Sequence, residues 1–211
     1  MTLPRALYWR RIDTTGTELT LMDDRRGLVA RGTATAAEPV PYVCRYDLTT
    51  DDGWSSVRLE VTVEGAGWLR TARLERAAGR WRVTTAEQGD LDAALRATGR
   101  APVGLPGTEE PERLKDALDI DLGGSPLTNT LPIRRLGLLS APTGTTHTIA
   151  AAWVLVPSLQ VLRSEQTYTV LGDGRLRYSS ASFTADLTVD ADGYVTDYPG
   201  LAEAAARARA R

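Results

Sequence analysis

The sequence predicts a mainly β protein whose strands form one strongly curved antiparallel sheet. Along most of the 211 residues, short segments alternate apolar and polar side chains, as strands with one buried face do. Turn residues separate these segments at close intervals, and helical patterns occur only in one insertion and at the C-terminus. About a dozen strands in one sheet must close, split or coil, so we expect strong curvature.

The first half of the chain is predicted to be a meander of closely spaced strands. Val57, Leu59, Val61 and Val63 alternate with charged and polar residues and give the clearest two-residue period in the sequence, so one face of this strand should be buried. The other strands predicted in this half cover residues 6–12, 17–22, 28–34, 40–49, 68–76 and 81–84.

An insertion at about residues 87–113 has a different composition. Residues 90–98 fit a short helix, with Leu91 and Leu95 on one side and Gly99 as its stop. We interpret the proline- and glycine-rich stretch that follows as a variable surface loop, with a mobile lid as the alternative. One or two helical turns are expected over residues 112–118.

The C-terminal part of the chain contains the longest predicted hairpin. Its alanine-rich end, residues 200–211, is expected to form a helix. Because no linker interrupts the chain, we expect residues 1–211 to form a single domain. Strands are predicted at residues 146–156, 159–171, 175–189 and 194–198, with the hairpin turn at 172–174.

Composition excludes several classes of function. A hydrophobic content of 42% supports a substantial core, and a formal net charge of -2 provides no basic field, so no nucleic-acid partner is expected. Cys44 is the only cysteine, which excludes an internal disulfide and agrees with a reducing compartment. No segment has the apolar core of a signal peptide or the length of a membrane span, so we expect a cytoplasmic protein without an integral membrane segment.

The least generic segment is residues 118–136, which read L-D-I-D-L-G-G-S-P-L-T-N-T-L-P-I-R-R-L. Pro126 and Pro132 fix two backbone angles and remove two amide donors, so a regular strand ladder cannot run through the segment. Between them Asn129, flanked by two threonines, is suited to bond neighbouring backbone and hold a turn.

Arg134 and Arg135 follow this turn as an adjacent pair. In extended backbone their side chains point to opposite faces, so at most one guanidinium should reach the interior, where it needs a carboxylate, phosphate or carbonyl partner. Asp119 and Asp121 share a face in extended backbone, and we interpret one as the partner of that arginine and the other as a turn cap. A glycosidase-like carboxylate pair or a calcium site is the alternative.

Other catalytic patterns are sparse. His147 is the only histidine; a couple with Cys44 is one interpretation, but a lone strand cysteine is typical of a small buried hydrophobe. One histidine and one cysteine cannot furnish an ordinary zinc site, and no phosphate loop, dinucleotide fingerprint or G-x-S-x-G elbow is present. We therefore expect no catalytic residues, no metal and no cofactor.

Amide and aromatic side chains in the C-terminal hairpin are candidates for ligand contact. Gln166 and Tyr168 lie two residues apart on one strand face, and Tyr178 is placed across the hairpin. Polar tips inside a curved apolar sheet need a ligand or water to satisfy them. Five tryptophans and seven tyrosines against one phenylalanine also suit a site with an apolar body and a polar rim, although packing alone would explain each ring.

The segment S-P-L-T-N-T-L-P-I-R-R-L at residues 125–136 resembles the signature of a bacterial family named "Putative glycolipid-binding", and D-G-Y-V-T-D-Y-P at residues 192–199 is similar to its closing motif. The resemblance spans roughly residues 42–201. It implies a spiral β-roll, a partial barrel, and a glycolipid or related lipid as ligand. The chain departs from the family in a longer polar segment after Trp81 and in Leu118, where the family tends to have a cysteine.

The leading hypothesis is non-enzymatic binding of an amphiphile, which the resemblance implies is a glycolipid or related lipid, on the concave face of the sheet. A hydrolase that acts on a glycosyl or acyl-lipid substrate through Asp119 and Asp121 is the first alternative. A structural or oligomeric protein without a small ligand is the second. The residues expected to contact the polar head of the amphiphile are Asn129, Arg134, Arg135, Gln166, Tyr168 and Tyr178.

Overall fold

The computed structural model describes residues 5–107, 111–181 and 183–205. In this part of the chain fourteen strands form one sheet that is not closed, and the helices are short, which confirms the mainly β prediction. The strands are β1 (Arg5–Arg11), β2 (Gly16–Asp23), β3 (Val29–Ala36), β4 (Tyr42–Thr50), β5 (Ser56–Gly65), β6 (Trp68–Ala77), β7 (Arg80–Gly89), β8 (Asp119–Leu122), β9 (Thr146–Val154), β10 (Val161–Gly172), β11 (Arg175–Ser180), β12 (Phe183–Val189), β13 (Val195–Tyr198) and β14 (Ala202–Ala204).

The sheet has the order β7-β6-β5-β4-β3-β2-β1-β14-β13-β12-β11-β10-β9-β8. Its described pairings are antiparallel except for β8 with β9, which is parallel and departs from the prediction of a purely antiparallel sheet. The sheet curls, because the edge strand β8 returns to β5: the Ile120 amide donates to Ser56 Oγ at 2.9 Å, and the Ser56 amide donates to the Leu118 carbonyl at 2.8 Å.

Alternation in β5 follows the predicted pattern over most of its length. Leu59, Val61 and Val63 are buried, and Glu60 and Thr62 between them are only half-buried. Val57 is the exception, because the register with β4 shifts between Thr49 and Thr50 and leaves this valine 37% exposed. A two-residue period therefore identified the strand but not the bulge at its start.

The insertion contains the predicted helix, α1 (Leu91–Ala97). Asp90 caps it by accepting a hydrogen bond from the Ala93 amide at 2.8 Å, and Leu91 and Leu95 are buried on one side of it. A 3₁₀ helix at Pro111–Leu114 precedes β8 and accounts for the helical turn expected there.

The turn and extended backbone predicted for residues 126–135 are wrong. A 3₁₀ helix (Pro126–Asn129) leads directly into helix α2 (Thr130–Arg135). Both prolines fit, because Pro126 opens the 3₁₀ helix and Pro132 lies in the first turn of α2, where an amide donor is dispensable. The helical backbone also changes the directions of the arginine side chains, which no longer point to opposite faces.

The helix predicted at residues 200–211 is also wrong where the structure describes it. Residues Ala202–Ala204 form β14, which pairs with both β1 and β13, so sheet pairing outweighs the helix propensity of alanine. Residues 206–211 lie outside the described part of the chain. The predicted strand over 175–189 is divided into β11 and β12, which end and begin at Ser180 and Phe183.

Buried apolar side chains of the described residues form two clusters. The larger one packs Trp9, Tyr46 and Trp81 with the buried side of α1. The smaller one gathers the C-terminal strands around Tyr168 and Ile133 of α2. Where the chain is described, we find no helix with the length and apolar character needed to cross a bilayer.

Candidate functional site

A cavity of about 250 Å³ lies where the end of the 3₁₀ helix Pro126–Asn129 and the loop before it meet β8–β13. Each surrounding element contributes one or two side chains, so the cavity depends on the whole curl of the sheet and not on one motif. Its lining residues are Asp121, Gly123, Gly124, Ser125, Asn129, Trp153, Ser164, Tyr178, Ser180, Phe183, Tyr198 and Leu201.

One wall of the cavity is aromatic. Tyr168 and Tyr178 are register partners on β10 and β11, as predicted, and their rings meet edge to face with centroids 5.4 Å apart. Tyr178 packs against Tyr198 at 6.2 Å, and Phe183 lies 6.1 Å from Tyr198. Such rings present apolar faces and, for the tyrosines, polar tips to whatever occupies the cavity.

Asn129 presents an amide to this cavity. Its Oδ1 atom accepts a hydrogen bond of 3.0 Å from the Tyr168 hydroxyl, which fixes the orientation of the amide group. The side chain is 94% buried (6% exposed), yet its Nδ2 group donates to none of the described residues. The Nδ2 group is not sealed from the cavity, so water or a ligand there can accept its hydrogen bond.

Asp121 supplies the acidic group of the lining. Its Oδ2 atom accepts a hydrogen bond of 2.7 Å from Gln166 Nε2, and its Oδ1 atom accepts one of 3.3 Å from the Thr128 hydroxyl. Burial raises the pKa of this carboxyl, and the two hydrogen bonds oppose that shift. Gln166 and Tyr168 therefore lie behind the lining and orient the groups that face the cavity.

Arg135 and Asp119 form a separate ion pair. Arg135 Nη2 and Nε donate to the two carboxylate oxygens at 2.5 and 3.1 Å, and Asp119 is 1% exposed. Burial raises the pKa of Asp119, and the guanidinium of Arg135 opposes the shift. Because this carboxylate does not line the cavity, Asp119 and Asp121 do not form the facing pair that a two-carboxylate hydrolase requires.

Arg134 is directed away from the cavity as well. Its guanidinium lies 4.5 Å from the Trp54 ring centroid and donates to the Asp192 carbonyl at 2.8 Å. Both arginines of α2 thus join this helix to other parts of the sheet. Of the residues that the sequence suggested for ligand contact, Asn129 and Tyr178 line the cavity.

A buried polar cluster around the carboxyl group of Glu18 lies beneath the loop of Gly123, Gly124 and Ser125. Glu18 is fully buried on β2, and its Oε1 atom accepts hydrogen bonds from Ser125 Oγ at 2.6 Å and from the Tyr46 hydroxyl at 2.5 Å. Its Oε2 atom has no partner among the described residues. Burial raises the pKa of Glu18, and the hydrogen bonds from Ser125 and Tyr46 oppose the shift.

Sequence reasoning missed this cluster because β2 is oriented against its hydrophobic pattern. The buried face of the strand carries Glu18, Thr20 and Met22, whereas Leu19 and Leu21 are 44% and 46% exposed. No local signal identifies such a reversal, because alternation gives the period of a strand but not which face is buried.

Gly124 separates the cavity from this cluster. A Cβ atom at this position would lie 2.5 Å from Arg11 Nη1, and the backbone φ of +84° favours glycine. Arg11 is itself 8% exposed and pairs with Asp13 through Nε at 2.7 Å. Gly124 therefore lets the loop close over a buried guanidinium.

The remaining catalytic candidates are dispersed. Cys44 is buried on β4, where burial raises the pKa of its thiol to about 12. His147 lies on β9, which is far from β4 in the order of strands in the sheet. Within the residues that the structure describes, no group of three or more histidine, cysteine, aspartate or glutamate side chains could hold a metal ion.

Comparisons with known proteins agree with this fold. A family model described as "Putative glycolipid-binding" matches residues 6–204. A crystal structure of a DUF1089 family protein from Pseudomonas aeruginosa is similar over 88% of this chain and 91% of that chain, with a TM-score of 0.67 and 26% identity. No match was found among curated proteins.

Proposed function

The chain belongs to the "Putative glycolipid-binding" family, and we propose that it binds a glycolipid or related amphiphile by enclosing the polar head in the cavity beside α2. The proposal is one of binding without catalysis. Its main support is Asn129, whose nearly buried amide is fixed by Tyr168 and keeps an unused donor at the cavity.

The size and lining of the cavity support a head group as its occupant. About 250 Å³ is below the roughly 300–1,000 Å³ of pockets that enclose drug-sized ligands, so the cavity would take one ring and not a whole amphiphile. Hydroxyl, amide and carboxyl groups share the lining with the rings of Tyr178, Tyr198 and Phe183. This combination suits a hydroxylated ring with apolar C–H faces.

An aliphatic chain would leave the cavity over Trp153 and Leu162. These residues are register partners on β9 and β10 and therefore share a face of the sheet. Trp153 lines the cavity, and Leu162, 45% exposed, lines a groove of about 750 Å³ that Leu105, 76% exposed, also borders. Exposed apolar side chains beside a polar pocket suit an amphiphile.

The other candidate residues have supporting roles in this proposal. Gln166 holds Asp121 in place, and Tyr168 holds Asn129. Arg134 and Arg135 fix helix α2, which directly follows Asn129. A cytoplasmic location is part of the proposal, and it is supported by the free thiol of buried Cys44.

Filling the cavity should abolish binding. Ser180 lines the cavity, so Ser180→Trp is expected to weaken binding of octyl β-D-glucopyranoside by more than tenfold, measured by isothermal titration calorimetry below the micellar concentration. Ser179→Trp is the matched control, because successive strand residues point to opposite faces and this serine contacts Thr184 instead. The control variant should keep wild-type affinity.

Two results would count against the proposal. One is a wild-type protein that shows no saturable binding of the glucoside. The other is equal affinity of the wild-type protein and Ser180→Trp with unfolding transitions that coincide.

A further inference from the structure

We propose that the cavity selects sugar head groups that carry no negative charge and excludes phosphate, sulfate and uronate head groups. This inference rests on the proposed function and specifies its ligand class. It is carried by the charge of the lining, which contains the carboxyl group of Asp121 and, among the described residues, no lysine or arginine.

The basic side chains near the cavity are committed elsewhere. Arg135 is paired with Asp119, and Arg134 lies over Trp54 and donates to the Asp192 carbonyl. Arg11 lies beneath Gly124, where it pairs with Asp13. An anionic head group would meet no cation in the lining of the cavity itself, although guanidinium groups are the usual partners of phosphate and carboxylate.

The carboxyl group of Asp121 also disfavours an anionic head group, in addition to the missing cation. Its carboxyl group is held at the cavity by Gln166 and Thr128, neither of which carries charge. In its ionised form, this carboxyl group repels an anion a few ångströms away in a partly desolvated pocket, whereas a sugar hydroxyl donates a hydrogen bond to it. Ionised Asp121 is therefore both an acceptor for a neutral sugar and a barrier to an anion.

The unused donors near the cavity are neutral as well. Asn129 Nδ2 and the Trp153 indole N–H make no hydrogen bond to a described residue. A sugar oxygen can accept from both groups, whereas neither group neutralises a phosphate. The polar surface thus matches hydroxyl groups in both donors and acceptors.

The test compares two ligands that differ in one group. Octyl β-D-glucopyranoside and octyl β-D-glucopyranosiduronic acid share chain and ring, and at pH 7 the second carries a carboxylate. The wild-type protein should bind the glucoside at least tenfold more tightly by isothermal titration calorimetry. Asp121→Asn keeps the size of the side chain and removes its charge, so the difference should fall to within about threefold, mainly through tighter binding of the uronate.

Asp116→Asn is the control, because it changes the net charge equally at an exposed position outside the cavity lining. This variant should keep the wild-type ratio of the affinities for the glucoside and the uronate. Equal wild-type affinities for both ligands, or a ratio unchanged by Asp121→Asn, would overturn the selectivity while leaving the proposed function in place. If neither ligand bound, the proposed function itself would fail, and the selectivity with it.

Discussion

Replacing Arg135 with alanine is expected to lower the free energy of unfolding by about 3–5 kcal/mol, because it leaves a buried carboxylate without its counter-ion. Asp119 is 1% exposed and both of its oxygens accept hydrogen bonds from this guanidinium. Urea denaturation at pH 7 measures the change.

An exposed ion pair provides the control for this loss. Arg177 and Asp186 have side chains that are 50% and 39% exposed, and Arg177→Ala should cost no more than about 1 kcal/mol. In the double variant Asp119→Leu with Arg135→Met, much of the stability should return, since apolar side chains of similar size can replace a buried pair. If Arg135→Ala unfolded at the wild-type urea concentration, the pair would not stabilise α2.

Replacing Glu18 with glutamine should change how stability depends on pH. Burial raises the pKa of Glu18 in the folded state above its value of about 4.3 in the unfolded chain, so the folded protein binds the extra proton. The stability from this group is complete below the unfolded pKa and is lost as pH rises through the folded pKa. Glutamine cannot ionise. Between the unfolded and the folded pKa of Glu18, the free energy of unfolding of the variant should therefore rise relative to that of the wild type by up to about 1.4 kcal/mol per pH unit.

Denaturation curves at several values between pH 4 and pH 8 test this expectation. Glu165→Gln is the control, because it makes the same substitution at an exposed position on β10. Parallel profiles for Glu18→Gln and the wild type would contradict the assignment of Glu18 as a buried acid that is protonated more readily in the folded state.

Local pattern predicted the strands well because strand period and turn chemistry are local properties. The register of Tyr168 with Tyr178 and the helix that begins after Asp90 follow from such signals. The helical course of residues 126–135 does not, because two prolines and three polar residues also fit a turn, and packing against the sheet decides between them.

The site was predictable only in part, since its residues come from distant strands. Asn129 and Tyr178 were identified from a motif and a hairpin. Phe183, Tyr198 and Trp153 join them only when the sheet curls, and Glu18 lies inward on a strand whose leucines face solvent. The curvature of the sheet and the choice of which strand face is buried depend on contacts between residues far apart in the chain, which the local pattern does not encode.

The direct test of the cavity uses the fact that Asn129 is the only asparagine in the sequence. Protein labelled with ¹⁵N-asparagine therefore gives a single side-chain amide pair, and titration with octyl β-D-glucopyranoside should shift both of its proton resonances in a saturable way. The calorimetric affinity should match the affinity from these shifts. Resonances that stay in place while calorimetry shows the protein saturated would mean that the ligand binds elsewhere, and the account of this cavity would be wrong.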